Sequence, residues 1–133
     1  MSVTPALTDD EKYEIGRRFH AALSVADWDG IRSLLHDDAT WSLPGSNTVS
    51  GTAEGADGIV ERAQKIAGYG LDFKLLHILV SPENMALSLH NTARREDAVL
   101  DEHLSTVCTL RNGKIARIET YLSDVAGMNA FFV

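Results

Sequence analysis

The stretch DWDGIRSLLHDDATWSLPG, residues 27–45, changes from the period of a helix to the period of a strand within one short segment. Asp27 is suited to cap a helix, and the apolar residues that follow it recur at helical spacing. After the acidic pair Asp37-Asp38, apolar and polar residues alternate with a period of two until Pro44-Gly45 interrupts the pattern. The segment therefore predicts a short helix that leads directly into a strand.

Helical patterns also precede and follow this segment. Thr8-Asp9-Asp10-Glu11 has the form of a capping box, which predicts the start of a first helix. Asp57 leads a further run of apolar residues at helical spacing, and glycines follow that run. We expect three helices, over residues 8–24, 27–36 and 56–67, with a surface loop over 44–56.

From Leu71 onward the sequence favours β-structure. Clusters of turn-forming residues divide this part of the chain, among them Glu96-Asp97 and Asn112-Gly113. The strands are expected at about 71–80, 85–95, 98–111 and 114–123. Helices followed by a mainly antiparallel sheet predict a single α+β domain over residues 1–133.

A helix that ends in an acidic pair and continues into a strand, near the front of a 133-residue chain, resembles the NTF2-like superfamily. The SnoaL-like branch, with its polyketide-cyclase-like and ketosteroid-isomerase-like members, is the most similar. The tail GKIARIETYLSDVAGMNAFF fits the same branch, and the resemblance covers nearly all of the chain. It implies a cone in which three N-terminal helices pack on a curved, mainly antiparallel sheet and enclose a pocket.

Composition restricts the classes of partner. A formal net charge of −7 and a sequence pI near 5.1 argue against nucleic acid, because a phosphate backbone requires clustered Lys and Arg. The sequence contains neither an apolar run of membrane-spanning length nor the pattern of a secretory signal. The single cysteine, Cys108, excludes an internal disulfide. We expect a cytoplasmic protein without membrane or nucleic-acid partners.

The last hairpin allows two registers. A two-residue Asn112-Gly113 turn, continued without a break, carries Arg117 and Glu119 inward. A bulge at Gly113 shifts the pairing by one residue and turns Ile118 and Thr120 inward instead, with Ala116 and Leu122. Burying an unpaired Arg and Glu costs more than a bulge, so we expect the bulged register.

Period-two alternation then sorts the other strands into an inward and an outward set. The inward polar side chains are predicted to be Asn91, Glu102, Thr106 and Thr120, with His77 as a further candidate. An apolar wall is predicted from Trp41, Phe19, Leu43, Leu89, Ile118 and Leu122. Asn91 and Glu102 are expected to be cross-strand neighbours, which either orient a ligand or form a structural hydrogen bond.

The resemblance implies chemistries that this chain does not carry intact. Steroid isomerases of the branch use a carboxylate base and a tyrosine–aspartate oxyanion hole, and the matching positions here are Leu43, Phe19 and Thr106. We therefore predict that the chain is not a steroid isomerase. The His and Asp of the polyketide cyclases match Thr106 and Thr120, although a small slip of the alignment brings Asp124 into that role. Asp124 is our predicted general base.

His90 and His103 are predicted to be cross-strand neighbours on the outward side of the sheet. Two imidazoles can contribute to a metal site, but neither a third ligand nor a helical histidine pair is evident, so we predict no metal site. Together with Tyr121 they are expected to lie in a homodimer interface on the convex sheet face.

Three functions remain open at this point. The first is a cofactor-independent enzyme that catalyses cyclisation, isomerisation or dehydration of a small apolar molecule by proton transfer. The second is a non-catalytic small-molecule-binding or dimerisation module, and the third is a protein-association domain. A pocket that holds a suitable acid or base favours the enzyme, because fold alone does not specify function.

Overall fold

The computed structural model describes residues 7–133, which form four helices and six strands. The helices are α1 (Asp9–Ser24), α2 (Trp28–Ser33), α3 (Gly55–Ala67) and α4 (Val125–Phe131). The strands are β1 (Leu35–Leu43), β2 (Gly51–Glu54), β3 (Asp72–Val80), β4 (Asn84–Arg95), β5 (Ala98–Arg111) and β6 (Lys114–Leu122).

The six strands form one sheet in the order β2-β1-β6-β5-β4-β3. All neighbouring strands are antiparallel except β1 and β6, which run parallel. Helices α1 and α3 cover one face, here called the inner face, and the opposite face is called the outer face. The predicted α+β architecture, with helices packed on a curved and mainly antiparallel sheet, is confirmed.

Both predicted helix caps are present. The Thr8 hydroxyl accepts a hydrogen bond from the Glu11 N–H at 3.1 Å, and the Glu11 carboxylate accepts one from the Thr8 N–H at 2.9 Å. Asp27 accepts from the Gly30 N–H at 2.9 Å and so caps α2. Each cap satisfies a backbone donor that the first turn of a helix leaves unpaired.

The structure differs from the sequence-based expectation in one helix end, one strand and one helix. Helix α2 ends at Ser33 rather than at residue 36, because Leu35 is buried and pairs with Ile115 of β6. The predicted loop over 44–56 contains β2, an edge strand that pairs with β1. The tail forms helix α4, which the alternating pattern of the preceding strand did not predict.

The β5–β6 hairpin combines the two registers that the sequence allowed. Asn112 and Gly113 have φ values of 51° and 81°, as a two-residue type I′ turn requires, so a bulge at Gly113 is wrong. The register shifts one step later, where Ala116 is the extra residue between the pairs Leu110–Ile115 and Thr109–Arg117. The predicted inward position of Ile118 is confirmed, because this shift turns both Ile115 and Ile118 into the core.

The core has two parts. The larger part fills the space between α1, α2, α3 and the inner face, and a second cluster lies where α4 and the chain end meet α3 and the sheet. Members of the second cluster include Leu43, Ile66, Leu100, Met128, Phe131 and Phe132. Within residues 7–133, no helix combines the length and the apolar character that a membrane crossing requires.

The register of β6 can be tested by truncating Ile118, whose side chain is fully buried. We expect Ile118→Ala to lower the free energy of unfolding by about 2–5 kcal/mol, because it leaves a cavity in a packed core. Urea denaturation followed by circular dichroism measures the loss. The control Val99→Ala removes a side chain that is 58% exposed and should change stability by less than about 0.5 kcal/mol. Equal effects of the two substitutions would contradict the register.

Candidate functional site

A cavity lies between α1, α3, α4 and the inner face of the sheet. Its volume, counted as the space open to the centre of a water molecule, is ≈ 50 Å³, which is room for several waters or one end of a small molecule. A larger ligand therefore requires movement of the wall. The lining residues are mostly apolar and include Phe19, Leu23, Trp41, Leu43, Ile59, Ala63, Ile66, Leu71, Phe73, Leu89, Leu104, Leu122, Met128 and Phe132.

The predicted wall residues are on this cavity with two exceptions. Asn91, Glu102, Thr106 and Thr120 line it together with the apolar residues that the alternation selected. The inward orientation of His77 is wrong: a register shift between Leu75 and His77 pairs His77 with Ser88, and its side chain is exposed. Ile118 is buried beside the cavity without lining it.

Three polar groups form a short chain along one wall. The Trp41 indole N–H donates to the Thr120 hydroxyl at 3.0 Å, and the hydroxyl oxygens of Thr120 and Thr106 are 3.1 Å apart. One threonine hydroxyl donates its hydrogen to the other, and the hydroxyl that accepts keeps its own hydrogen, whichever threonine is the donor. This wall therefore offers one hydrogen-bond donor to a ligand.

The Asn91 amide lies further along the same strand pair. Its side chain is only 8% exposed, and Oδ1 is a buried oxygen without a hydrogen-bond partner. Asn91 lies directly opposite Glu102, as predicted, but no hydrogen bond joins the two side chains among the contacts of residues 7–133. An unpaired buried amide oxygen costs about 1–3 kcal/mol, so Asn91, which lines the cavity, carries an unmet acceptor.

Glu102 is the one ionisable side chain on the cavity wall within residues 7–133. It is 1% exposed, and its Oε1 accepts hydrogen bonds from the Asp124 N–H at 2.9 Å and from the Ser123 hydroxyl at 3.2 Å. Both donors lie where β6 passes into α4. The two bonds fix the position of the carboxylate and leave Oε2 to interact with a ligand.

Asp124 is not on the cavity wall, and the inward orientation predicted for it is wrong. Its side chain is exposed, and its Oδ1 accepts from the Gly127 N–H at 2.9 Å as the N-cap of α4. The chain leaves the strand after Leu122, so alternation no longer determines where the side chain of Asp124 points. Its backbone N–H, rather than its carboxylate, contacts the site through Glu102.

Trp41 is held in place by Arg62, a residue that the sequence analysis did not select. The guanidinium donates to the Trp41 carbonyl at 2.8 Å and to the Ser50 carbonyl at 3.2 Å, and it lies 5.2 Å from the centre of the indole ring. Partial burial lowers the pKa of Arg62 from its usual value. Such a cation stacked on the ring restricts the rotamer of Trp41.

The C-terminal residues Met128 and Phe132 also complete the cavity. The apolar run MNAFF at the end of the tail was the available sequence signal for them, although it does not specify which elements it contacts. Hydrogen bonds to its backbone carbonyls hold this segment in place. The Thr48 hydroxyl donates to the Phe132 carbonyl at 3.2 Å, and the Arg95 guanidinium donates to the Phe131 carbonyl at 3.1 Å.

On the outer face, His90 lies directly opposite His103, as the alternation predicted. Tyr121 is 56% exposed on the same face. The homodimer expected through these residues stays a prediction.

Comparison with known proteins identifies relatives for most of the chain. The SnoaL-like domain family matches residues 16–118. The uncharacterized protein Rv0034 of Mycobacterium tuberculosis is 23% identical over 130 residues, which span 95% of this chain and 99% of that protein. Bal32a, from a soil-derived mobile gene cassette, superposes with a TM-score of 0.88 at 25% identity over 93% of this chain and 98% of its own.

Two further solved structures share the fold and carry functional names. One is a putative ketosteroid isomerase from Kribbella flavida, with a TM-score of 0.73 and 16% identity over 86% of this chain and 79% of its own. The other is a putative polyketide cyclase from Sinorhizobium meliloti, with a TM-score of 0.67 and 18% identity over 81% of this chain and 94% of its own. At sequence identities of 16% and 18%, the similarity to these two proteins shows a shared fold alone.

The burial of Cys108 in the hydrophobic core predicts an inert thiol. Cys108 is fully buried, and desolvation raises the pKa of its thiol to about 12, so the reactive thiolate is essentially absent at mildly alkaline pH. We expect the native protein to react with a disulfide reagent such as DTNB only as fast as it unfolds. Denatured protein at the same pH should react at once, and rapid labelling of the folded protein would contradict the burial.

The capping role of Asp124 predicts different results for two substitutions. Asp124→Ala removes the acceptor for the Gly127 N–H and should lower the free energy of unfolding by about 1 kcal/mol. Asp124→Asn keeps an acceptor and should be nearly as stable as the wild type, because Asn caps helices as well as Asp does. Thermal and urea denaturation measure both. Equal destabilisation by Asn and Ala would argue against the cap.

Proposed function

The chain belongs to the SnoaL-like domain family, and from that premise we propose that it is a cofactor-independent enzyme that moves a proton on a small, largely apolar substrate. The reaction would be of the isomerase, cyclase or dehydratase type. The observation that carries the proposal is the Glu102 carboxylate, which lies in a mostly apolar cavity with one oxygen held by two donors and the other left to the ligand.

Glu102 takes the role of general base that the sequence analysis gave to Asp124. A carboxylate can remove a proton from carbon next to a carbonyl when it is held within hydrogen-bond reach of that proton. The electron pair of the broken C–H bond moves to the carbonyl oxygen and forms an enolate. Return of the proton at another carbon completes an isomerisation. In a cyclisation the enolate carbon attacks a second carbonyl, whose π electrons move to its oxygen, and the proton held by Glu102 passes to that oxygen and restores the carboxylate.

The threonine pair is suited to stabilise the oxygen on which charge develops. The Trp41 N–H and one of the two threonine hydroxyl hydrogens are used in the chain described above, which leaves the other hydroxyl hydrogen, on Thr120 or Thr106, for the substrate oxygen. A donor that is already oriented in a dry cavity stabilises such a charge more than the same donor in water.

The wall also restricts the substrate. The unpaired Asn91 Oδ1 can accept a hydrogen bond from the substrate, so we expect the substrate to carry a hydroxyl or enol group next to the reacting carbonyl. The remaining wall is aliphatic and aromatic, which favours a ring or alkyl body without charge. A small hydroxylated ketone satisfies both requirements.

Two of the fold neighbours are named as a putative ketosteroid isomerase and a putative polyketide cyclase, which supports the reaction class. The residues that match the steroid-isomerase machinery are Leu43, Phe19 and Thr106, and none of them ionises to a carboxylate. Steroid isomerisation through those positions is therefore not part of the proposal.

A non-catalytic binding module is the second candidate. The observation that favours it is that Glu102 ties the start of α4 to β5 through Ser123 and Asp124, a role that is complete without any ligand. The two functions share the cavity and differ in whether Glu102 exchanges a proton with what is bound.

Proton exchange on probe ketones separates the two functions. We would incubate the protein in D₂O with a panel of small aromatic and alicyclic hydroxyketones and follow loss of the α-proton signal by NMR. Wild-type protein should accelerate the exchange of the probes that it binds. Glu102→Gln should slow that exchange by about 10²- to 10⁴-fold, because Gln keeps an acceptor for the two donors but cannot take up the proton.

The matched control is Glu119→Gln, on the neighbouring strand outside the cavity, which should exchange protons at the wild-type rate. Binding of the same probes is measured separately by ligand-observed NMR. Probes that bind without accelerated exchange support the binding module, and wild-type exchange by Glu102→Gln overturns the role of this residue.

A further inference from the structure

The outer face carries a cluster of side chains that the proposed function does not use. His90 of β4 and His103 of β5 lie directly opposite each other in the ladder. Asp101 is two residues from His103 on the same strand, so its side chain shares the outer face. The backbone register alone brings these three groups together.

The cluster is closely arranged. The two imidazole rings are stacked, with centroids 4.2 Å apart and planes 6° from parallel. His90 Nε2 is 2.5 Å from Asp101 Oδ1, and one ligand atom from each of the three residues falls within 4.8 Å of the others. In the single chain the His90 side chain is 28% exposed and that of Asp101 is 71% exposed, so an ion can reach them from solvent.

We propose that His90, His103 and Asp101 form a binding site for a divalent transition-metal ion, with Zn²⁺ as the best match. Two imidazole nitrogens and one carboxylate oxygen are ligands that Zn²⁺ accepts, whereas Mg²⁺ and Ca²⁺ prefer oxygen alone. Three protein ligands leave a fourth tetrahedral position for water or for a ligand from another molecule. No metal site was predicted from the sequence, because no third ligand beside His90 and His103 was evident there, and Asp101 now supplies it.

The ligand atoms of the cluster lie within 4.8 Å of one another and the two imidazole rings are nearly parallel, so both rings have to turn before their nitrogens can point to one ion. Ligands at about 2.0–2.2 Å in tetrahedral geometry lie roughly 3.3 Å from one another. The His90–Asp101 separation of 2.5 Å has to widen by less than 1 Å, which a change of side-chain torsion supplies. The ion then replaces the direct contact between His90 Nε2 and Asp101 Oδ1.

The charge state of Asp101 also suits the site. Asp101 carries an exposed carboxyl group, and such a group is ionised at neutral pH. The carboxylate is therefore available as an anionic ligand at neutral pH. Lys74 lies opposite His90 on β3, but it is exposed and can turn its ammonium group to solvent.

The site lies on the opposite face of the sheet from the cavity residues Asn91 and Glu102. Glu102 stands between Asp101 and His103 on β5 and points to the inner face, and Asn91 follows His90 on β4. A metal ion on the outer face would cross-link the two strands at this step of the ladder. It is a separate site, because none of its three ligands lines the cavity.

Calorimetric titration with Zn²⁺ at neutral pH tests the site, using the 133-residue chain from which any histidine tag has been removed. We expect one Zn²⁺ per chain, together with a rise in melting temperature of several degrees at saturating Zn²⁺, since an ion that binds the folded state stabilises it. His90→Ala, His103→Ala and Asp101→Asn should each weaken Zn²⁺ binding by at least about tenfold. Mg²⁺ should produce neither effect.

His77→Ala is the matched control, since it removes an exposed histidine of β3 that is outside the cluster. It should bind Zn²⁺ as the wild type does. Circular dichroism of each variant without metal confirms that the fold is retained. Absence of Zn²⁺ binding to the wild type, or binding that none of the three cluster substitutions weakens, overturns the proposal.

Discussion

The pairing of β5 with β4 and β6 is the constraint on which the rest of the structure depends. Successive side chains of a strand point to opposite faces, so the register sends Glu102 and Thr106 to the cavity and Asp101 and His103 to the outer face. A slip of one residue would exchange the two sets and bury the charged residues among the aliphatic side chains of the core. Both the cavity and the histidine cluster follow from this one register.

The β5–β6 hairpin shows how two local preferences are reconciled. Asn112-Gly113 favours a two-residue turn, while core packing requires Ile118 and Thr120 on the inner face. An extra residue at Ala116 satisfies both, because a bulge changes the facing of every residue after it. The parallel pairing of β1 with β6 then places Trp41 beside Ile118, within reach of the Thr120 hydroxyl.

The polar groups of the cavity differ in how well they are satisfied. Glu102 has two donors on one oxygen, and both come from the segment where the chain turns from β6 into α4. Its position therefore depends on the C-terminal helix being in place. Asn91 Oδ1 has no hydrogen-bond partner, and leaving it unpaired costs free energy in a buried site. A ligand that donates a hydrogen bond to this oxygen would recover that free energy on binding.

The amino-acid sequence by itself determined the α+β class, the caps at Thr8 and Asp27, and the facing of residues within regular strands, because these depend on local hydrogen bonds and on periods of 3.6 and two. It also determined that Asn91 and Glu102 are opposite each other, since a two-residue turn sets that pairing. Only the tertiary structure decided the facing of His77 and Asp124, where a register shift and the end of a strand interrupt the alternation. Asp101 shares the outer face with the histidine pair through the same alternation. Only the tertiary structure brought α4 to the cavity, because contacts between residues distant in sequence depend on packing that no local pattern encodes.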